Sequence, residues 1–292
     1  VLHTYFFNLE GNLKMKKKIA LVALAAAAVG VQAAEWSDTA ISLRHGNNFQ
    51  EPYKDRDITK NIIGLTHVSG YKYGSNFFNV DILQSDSKDP NKTGSSAGAQ
   101  EFYAVYRNTV DLEKATGKSF KTTGVRGLGV TVGFDMNSKA DSSYNSKKEM
   151  FVVGPTLMLD VPAGFLNVSL LQLSESNAPA TISSRYHYDN HQMLTAAWGI
   201  PFSVASVPLS FEGFANFIGA KGKLENGTTD SKAETNIDMQ VMYDMSSSVG
   251  AQAKTFKVGV EYQYWKNKFG NNGSSVAGAT AKTPMVRAEY HF

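Results

Sequence analysis

Residues 284–292 read PMVRAEYHF and alternate between two kinds of side chain. In an extended strand, side chains two positions apart point to the same side. One face of this strand therefore carries the apolar series from Val286 to Phe292, and the opposite face carries Arg287, Glu289 and His291. Two folds accommodate such a strand: a soluble β-sandwich, in which the apolar face joins a core, and a membrane β-barrel, in which it contacts lipid.

Residues 15–33 have the layout of a secretory signal peptide. Three lysines precede an apolar stretch, and small residues then offer a cleavage site after Ala33. The apolar stretch is shorter than the roughly 20 residues that a membrane-spanning helix needs. Residues 1–14 fit neither a signal peptide nor a domain, and we interpret them as an over-extended start before Met15.

The chain that follows the predicted cleavage site has balanced charge and contains no cysteine. The first 33 residues hold four of the 29 Lys and Arg residues and one of the 26 Asp and Glu residues, which leaves 25 of each. A neutral chain gives no support for binding to nucleic acid. The lack of cysteine fits an exported protein that needs neither disulfides nor a lipid anchor. No linker-like boundary interrupts residues 34–292, so we expect a single domain there.

Twelve segments with a period of two residues follow one another along this domain. In NFFNVDILQSD (76–86), for example, Phe78, Val80 and Ile82 share one face while Asn79 and Asp81 share the other. The segments lie near residues 38–46, 60–71, 76–86, 100–112, 125–137, 148–160, 165–175, 188–200, 208–220, 234–245, 255–267 and 282–292.

The connections between these segments fall into two sets. One set is polar and mostly long, as at 47–59, 87–99 and 221–233, and the other includes tight links such as KYGS (72–75) and PAG (162–164). Outer-membrane barrels sort their connections in this way, with short periplasmic turns and longer external loops. The sequence therefore predicts an all-β fold, a 12-stranded antiparallel transmembrane β-barrel of the bacterial outer membrane. We expect the last strand to pair with the first and Phe292 to lie at the lipid interface, because an open edge is unfavourable in lipid.

Eight stretches of the chain resemble the nucleoside-specific channel-forming family of Gram-negative outer membranes, in its outer membrane protein K branch. They cover nearly the whole predicted domain and read HVSGYKYGSNFFNVD, SDSKDP, YNSKKEM, FLNVSLL, SFEGFANFI, ETNIDMQVMYD, EYQYWKNKFGN and KTPMVRAEYHF. The resemblance implies a narrow channel that passes nucleosides or similar small solutes, and a role as a bacteriophage receptor. Outer-membrane lipid and lipopolysaccharide are the other expected partners.

The polar faces of the segments define a lumen in which acidic residues outnumber basic ones. A barrel of twelve strands lies between small filled barrels and wide porins, so we expect a slot. Aromatic rings beside carboxylates and amides suit a flat, neutral, hydroxylated solute, although paired charges can equally brace the wall. The candidate solute-binding residues are Arg44, Asp81, Tyr103, Arg107, Glu212, Asp238, Glu261, Trp265, Arg287 and Glu289.

The sequence is also compatible with other functions. A general small-solute pore or a surface adhesin without nucleoside selectivity would use the same fold. An outer-membrane phospholipase is a more remote alternative, because His67 and Ser69 share one strand face but no third group is placed to orient the imidazole. We expect no enzyme activity, and no spacing in the sequence predicts a metal or cofactor site.

The signal-peptide interpretation predicts a mature chain that begins near Ala34. Intact-mass measurement on outer-membrane preparations checks this prediction, and a product that retains residues 1–14 would contradict both the start and the cleavage site.

Overall fold

A computed structural model describes residues 34–292, and the predicted leader and start at 1–33 lie outside the described residues. Thirteen strands are present, of which twelve are long and one, β8, has two residues. Their bounds are β1 Trp36–Glu51, β2 Lys54–Tyr71, β3 Gly74–Ser85, β4 Gln100–Asp111, β5 Val125–Ala140, β6 Glu149–Leu159, β7 Phe165–Asn177, β8 Tyr186–His187, β9 His191–Val204, β10 Val207–Ile218, β11 Glu234–Asp244, β12 Phe256–Lys266 and β13 Thr280–His291.

The twelve long strands form a closed antiparallel barrel, which confirms the predicted fold class. Each long strand pairs with the next along the chain, and β13 pairs with β1 from Ala40↔His291 to Gly46↔Met285. The Phe292 backbone N–H extends this ladder by donating to the Thr39 carbonyl at 2.9 Å. Closure pairs the backbone N–H and C=O groups at the strand edges, as a lipid environment requires.

The outer face of the barrel is apolar because the period-two pattern points hydrophobic residues outward on every long strand. Leu43, Val260 and Val286 are 58%, 62% and 59% exposed, whereas the neighbouring Glu261 is 3% exposed. A water-soluble protein would bury these hydrophobic residues, and a membrane protein turns them toward lipid. The outward orientation predicted for the last two strands agrees with this arrangement.

The two ends of the barrel differ in their connections. At the end that carries both described termini, tight turns join β2 to β3 and β9 to β10, while a five-residue helix α1 (Leu112–Thr116) and a 3-10 turn (Ser246–Val249) occupy the longer links. The opposite end carries the long polar loops over 86–99, 141–148, 178–190, 219–233 and 267–279. This asymmetry assigns the first end to the periplasm. No helix in the described part of the chain is long and apolar enough to cross a membrane.

The predicted loop over 47–59 is wrong, because β1 and β2 continue through it as a long hairpin. The ladder includes Phe49↔Ile58 and Glu51↔Lys54, with register shifts at both steps. Phe49 and Ile58 are buried inside the barrel, which explains why a polar-looking stretch remains a strand. Gly278 of a neighbouring loop packs against the tip so closely that a Cβ would lie 2.0 Å from the Glu51 carbonyl oxygen.

Deletion of Phe292 is expected to reduce the yield of folded barrel strongly. The deletion removes the last backbone hydrogen bond of the closing ladder and an exposed interfacial aromatic side chain. Heat-modifiable mobility on gels measures the folded fraction. Deletion without loss of folded barrel would contradict the assigned role of this residue.

Val260→Arg is expected to destabilise the barrel by roughly 2–4 kcal/mol if the site is near the bilayer midplane. Val249→Arg is the matched control, because Val249 is 53% exposed in the periplasmic 3-10 turn, outside the barrel wall. Urea unfolding in lipid vesicles measures both free energies of unfolding. Equal effects of the two substitutions would contradict a lipid contact at Val260.

Candidate functional site

The polar lumen is the candidate site, and all ten residues predicted from the sequence lie on the inner faces of the strands. Alternation places them opposite the exposed apolar residues, for example Arg44 between the outward Leu43 and His45. The structure separates the ten into groups on different parts of the wall. Each group has its own set of partners.

An ion-pair network joins five of the ten candidates across β3, β1, β13 and β12. The Arg44 guanidinium contacts Asp81 and also Glu261, the latter at 3.4 Å. Arg287 contacts Glu261 at 2.8 Å and Glu289 at 2.6 Å. The Glu261 side chain is only 1% exposed, so these charges are satisfied by one another. Removing one partner of such a buried pair leaves an uncompensated charge, which makes the network a brace of the wall.

Tyr103 and Arg107 belong to a second group, on β4 and β5. The Tyr103 hydroxyl donates to Asp135 at 2.7 Å, and Arg107 Nη1 lies 2.5 Å from the same carboxylate. Asp135 is a lumen residue outside the predicted set of ten. Because the Asp135 carboxylate contacts both Tyr103 and Arg107, this group also stabilises the packing of β4 against β5.

The remaining candidates lie on β10, β11 and β12. Glu212 pairs with Lys257 at 3.4 Å and accepts a hydrogen bond from Gln240 at 3.1 Å. Asp238 accepts a hydrogen bond from Gln263 at 3.1 Å.

Trp265 lies near the outer end of β12 and is already engaged by neighbouring side chains. Its indole N–H donates to Glu234 at 3.2 Å, and the Lys268 ammonium lies 4.9 Å from its ring centroid. Phe269 packs edge-on against the ring, with centroids 4.9 Å apart. The surface of this ring left for a solute is therefore reduced.

The accessible part of the lumen has the shape of a slot. Inner side chains of β3 and β4 are mostly half-buried, as are those of β10 to β12, whereas inner side chains of β5 to β7 and of β13 and β1 are mostly buried. Counting the twelve barrel strands, β3 lies six strands from β10 in either direction, and β4 lies six strands from β11. The two accessible arcs thus face each other across the barrel.

Buried apolar clusters fill the inner face on the other two sides. Met150, Val152, Leu171, Leu173 and Met193 form one cluster on β6, β7 and β9. A second cluster on β1, β2 and β13 contains Phe49, Ile58, Ile62 and Met285. These clusters narrow the lumen in one direction, so the slot is elongated along the other.

Sequence reasoning missed two aromatic residues of the slot, Phe77 on β3 and Phe214 on β10. Phe214 alternates with the lumen residues Glu212 and Asn216, and its cross-strand partner is Asp238. Phe77 is 38% exposed and pairs across the strands with Arg107. Their alternation with polar neighbours indicates that both rings face inward. Both strands also carry phenylalanines on the outer face, so a phenylalanine there is easily assigned to the lipid side.

Carboxamides are the other group that lines the slot. Asn79 faces inward on β3, while Asn216, Asn236 and Gln240 face inward on β10 and β11. The side-chain oxygen of Asn79 accepts a hydrogen bond from the Thr66 hydroxyl at 2.7 Å. The side-chain oxygen of Asn216 accepts one from the Thr195 hydroxyl at 2.6 Å. Amide groups left facing the slot can both donate and accept hydrogen bonds.

Buried ion pairs hold the extracellular loops over the mouth. Asp89 of the β3–β4 loop contacts Lys139 at 2.8 Å and Lys54 at 2.6 Å. Burial would raise the pKa of Asp89, but the Lys139 ammonium and hydrogen bonds from both lysines outweigh it and hold the pKa below its usual range. Lys139 also contacts Glu51 at 3.1 Å, which ties the loop to the β1–β2 hairpin.

Glu225 joins the loops over 141–148, 178–190 and 219–233 on the other side of the mouth. Its carboxylate accepts hydrogen bonds from the hydroxyls of Tyr144 and Tyr188 and from the Asn177 amide, the last at 3.0 Å. Burial would raise the pKa of Glu225, but these hydrogen bonds, led by the two tyrosines, lower it below its usual value. The ionised carboxylate is therefore the state that holds the loops together.

The geometry gives no support to the phospholipase alternative. His67 and Ser69 lie on the outer face near the periplasmic end, where His67 Nδ1 is 2.8 Å from the Thr39 hydroxyl and Ser69 is near Asn76. No hydrogen bond joins His67 to Ser69 in the described structure. Within residues 34–292, no group of three or more metal-ligating side chains is placed to hold a metal ion.

Comparisons with known proteins give only distant structural similarity. No protein-family model matches the chain, and no curated protein matches it in sequence. One similar solved structure is the KdgM porin, with 11% sequence identity and a TM-score of 0.40 over 87% of this chain and 99% of that chain. Another is the translocator domain of the autotransporter NalP from Neisseria meningitidis, with 10% identity and a TM-score of 0.43 over 95% of this chain and 96% of that chain. A third is an outer membrane channel from Pseudomonas putida F1, with 9% identity and a TM-score of 0.48 over 88% of this chain and 95% of that chain. At these values they assign no substrate, and the resemblance to the nucleoside-channel family stays a prediction.

The closed barrel, its apolar outer face and its polar lumen together define an integral protein of the outer membrane. This conclusion depends on the strand pairing and on side-chain exposure in the described residues.

Glu225→Gln is expected to speed hydrogen exchange in the loops over 178–190 and 219–233 while leaving the strands unchanged, because a neutral amide accepts the tyrosine hydrogen bonds more weakly. Asp230→Asn is the matched control, since its ion pair with Lys223 is exposed. The lowered pKa of Glu225 means that this loop contact is complete above the ordinary glutamate pKa and is lost as the pH falls through the lowered value. Equal exchange in both variants would contradict the role of Glu225.

Proposed function

We propose that the protein is an outer-membrane channel for small, neutral, hydrogen-bonding solutes. The observation that carries this proposal is the composition of the slot. Its two facing arcs carry carboxamides and two phenylalanine rings, while most lumen charges are paired with one another. Paired charges offer little attraction to an ionic solute, whereas amides and aromatic rings hold an uncharged solute by weak, reversible contacts.

Nucleosides are the proposed substrate class within this group. The family resemblance supports the choice, and so do Phe77 on one arc and Phe214 on the other, since each ring can stack on a base. Stacking of a base on an aromatic side chain is worth about 1–3 kcal/mol, which biases passage without trapping the solute. The ribose hydroxyls then have Asn216 and Gln240 as neighbours on the same wall.

The ten predicted residues take two roles in this proposal. Arg44, Asp81, Glu261, Arg287 and Glu289 keep the wall rigid, as do Tyr103 and Arg107 with Asp135. Glu212, Asp238 and Trp265 stay candidates for direct solute contact.

Asn216→Leu is expected to weaken block of the ion current by uridine. One hydrogen bond contributes roughly 0.5–1.5 kcal/mol, so the half-blocking concentration should rise about two- to tenfold. Asn61→Leu is the matched control, because Asn61 lies on the outer face and bonds to His45. Single-channel current in planar bilayers, with uridine, adenosine and glucose titrated separately, provides the measurement.

The wild-type channel should respond to both nucleosides at lower concentrations than to glucose. If all three solutes reduce the current equally, the channel is a general small-solute pore and nucleoside selectivity is wrong. If none of them enters and the channel carries no current, the barrel is a surface adhesin or receptor without transport.

We also propose that the extracellular surface serves as a bacteriophage attachment site. The buried ion pairs around Asp89 and Lys139 hold this surface in one arrangement, and Tyr53 projects from the hairpin tip with 70% exposure. Exposed tyrosines in fixed positions are common anchors of protein interfaces. Tyr53→Ala should reduce adsorption of phages that need this protein, and unchanged adsorption would exclude the hairpin tip as their contact.

A further inference from the structure

Two lysines lie at the extracellular end of the lipid-facing rows of the neighbouring strands β12 and β13. The outer row of β12 takes every second residue from Phe256 to Lys266, and the outer row of β13 takes every second residue from Phe292 back to Lys282. Neither row contains another charged residue. Both lysine side chains are exposed, whereas Thr283, which follows Lys282 and faces inward, is buried.

The length of the two rows places both lysines at the level of the lipid headgroups. Each row covers ten residue steps from its phenylalanine to its lysine. At a rise of about 3.3 Å per residue and a tilt of about 40°, ten steps correspond to roughly 25 Å along the membrane normal, which is the height of the apolar band of outer-membrane barrels. Because the phenylalanines lie at the periplasmic end, the lysines lie at the extracellular edge of this band.

The positive charges of the two lysines are not neutralised within the described part of the chain. Lys257 and Lys268, which lie on the inner side of the same wall, each form an ion pair with a glutamate. No described carboxylate forms an ion pair with Lys266 or Lys282, and the cross-strand partner of Lys266 on β11 is the neutral Thr235. The charges of the outer pair are therefore left for an anion outside the barrel.

The strand register allows both ammonium groups to reach the same anion. Lys282 pairs directly with Tyr264, which puts Lys266 in the diagonal position on the same face. Diagonal neighbours on one face of a sheet lie about 7–8 Å apart, a distance that two lysine side chains can bridge around one ligand. Tyr264 is half-buried on this face and adds a phenolic hydroxyl as a further donor.

We propose that Lys266, Lys282 and Tyr264 form a binding site for a phosphate group of lipopolysaccharide on the outer surface of the barrel. Ammonium groups bind phosphate through charge-assisted hydrogen bonds. The acyl chains of the same lipid then pack along the rows below the phosphate, where Val260 and Val286 are 62% and 59% exposed. A soluble phosphate would use the lysines but not these apolar rows.

This lipid site is independent of the proposed transport function. Its residues lie on the opposite side of the wall from the slot, so lipid binding does not require that a solute enters the lumen. Its position at the extracellular end assigns it to the outer leaflet, which holds the lipopolysaccharide.

Native mass spectrometry of the folded protein in detergent tests the site by measuring the dissociation constant of diphosphoryl lipid A. EDTA is present, so that divalent cations do not bridge the lipid to carboxylates. Lys266→Gln and Lys282→Gln are each expected to raise the dissociation constant about fivefold, and the double variant more than about tenfold, from the loss of attraction between a lysine and an anionic lipid. Lys92→Gln in the β3–β4 loop and Lys118→Gln at the periplasmic end are the matched controls, because both lysines are exposed, and each should change the constant less than about twofold.

Three results would overturn the site. Lipid A without its phosphates that binds as tightly as diphosphoryl lipid A removes the phosphate requirement. Phosphatidylglycerol that binds as tightly removes the selectivity for lipopolysaccharide, and lysine variants that match their controls remove the assigned residues. Lys282→Arg keeps the charge and should bind within about twofold of the unsubstituted protein, while heat-modifiable mobility confirms that each variant is folded.

Discussion

The requirement that every backbone N–H and C=O be hydrogen-bonded inside a membrane determines the architecture of this protein. A sheet meets that requirement only when its first and last strands join, because an open edge would leave polar groups in hydrocarbon. The pairing of β1 with β13 supplies the join. Once the sheet is closed, alternation leaves no choice for the side chains: one set faces lipid and the other fills the lumen. Polar interactions within the barrel are therefore made by the side chains that face the lumen.

Filling the lumen imposes the next constraint. Large apolar residues occupy two opposite sides and mutually paired charges brace much of the remaining wall, so the accessible inner surface lies on the arcs of β3–β4 and β10–β12. Charged residues in a channel are often taken as the binding residues. Here most of them are partners of one another, and the weaker polar and aromatic groups face the accessible slot. This arrangement suits the transport proposed above, because a solute that is held weakly can leave again.

Much of the fold could be predicted from the sequence, because a period of two residues is a strong signal when one face contacts lipid. All twelve long strands and the closure were predicted. The β1–β2 hairpin was not, because Phe49 and Ile58 are isolated there among polar and charged residues that are typical of a loop. The inner faces of the ten candidate residues followed from the same parity. Their partners did not, since Arg44 and Glu261 are 217 positions apart and only the closed barrel brings them together.

The network around Arg44 has a further consequence for assembly. Arg44 and Arg287 are direct neighbours across the strand pair that joins the two ends of the chain, and like charges in such positions repel. Glu261 on the adjoining strand contacts both guanidinium groups, so the repulsion is relieved only when three strands are aligned correctly. A join displaced by two residues would keep the lipid-facing pattern intact yet separate these charges from their partners. The hydrophobic surface is equally stable in both registers, whereas the buried charges are paired only in the correct one. The ion-pair network therefore selects the correct register in the final strand-pairing step.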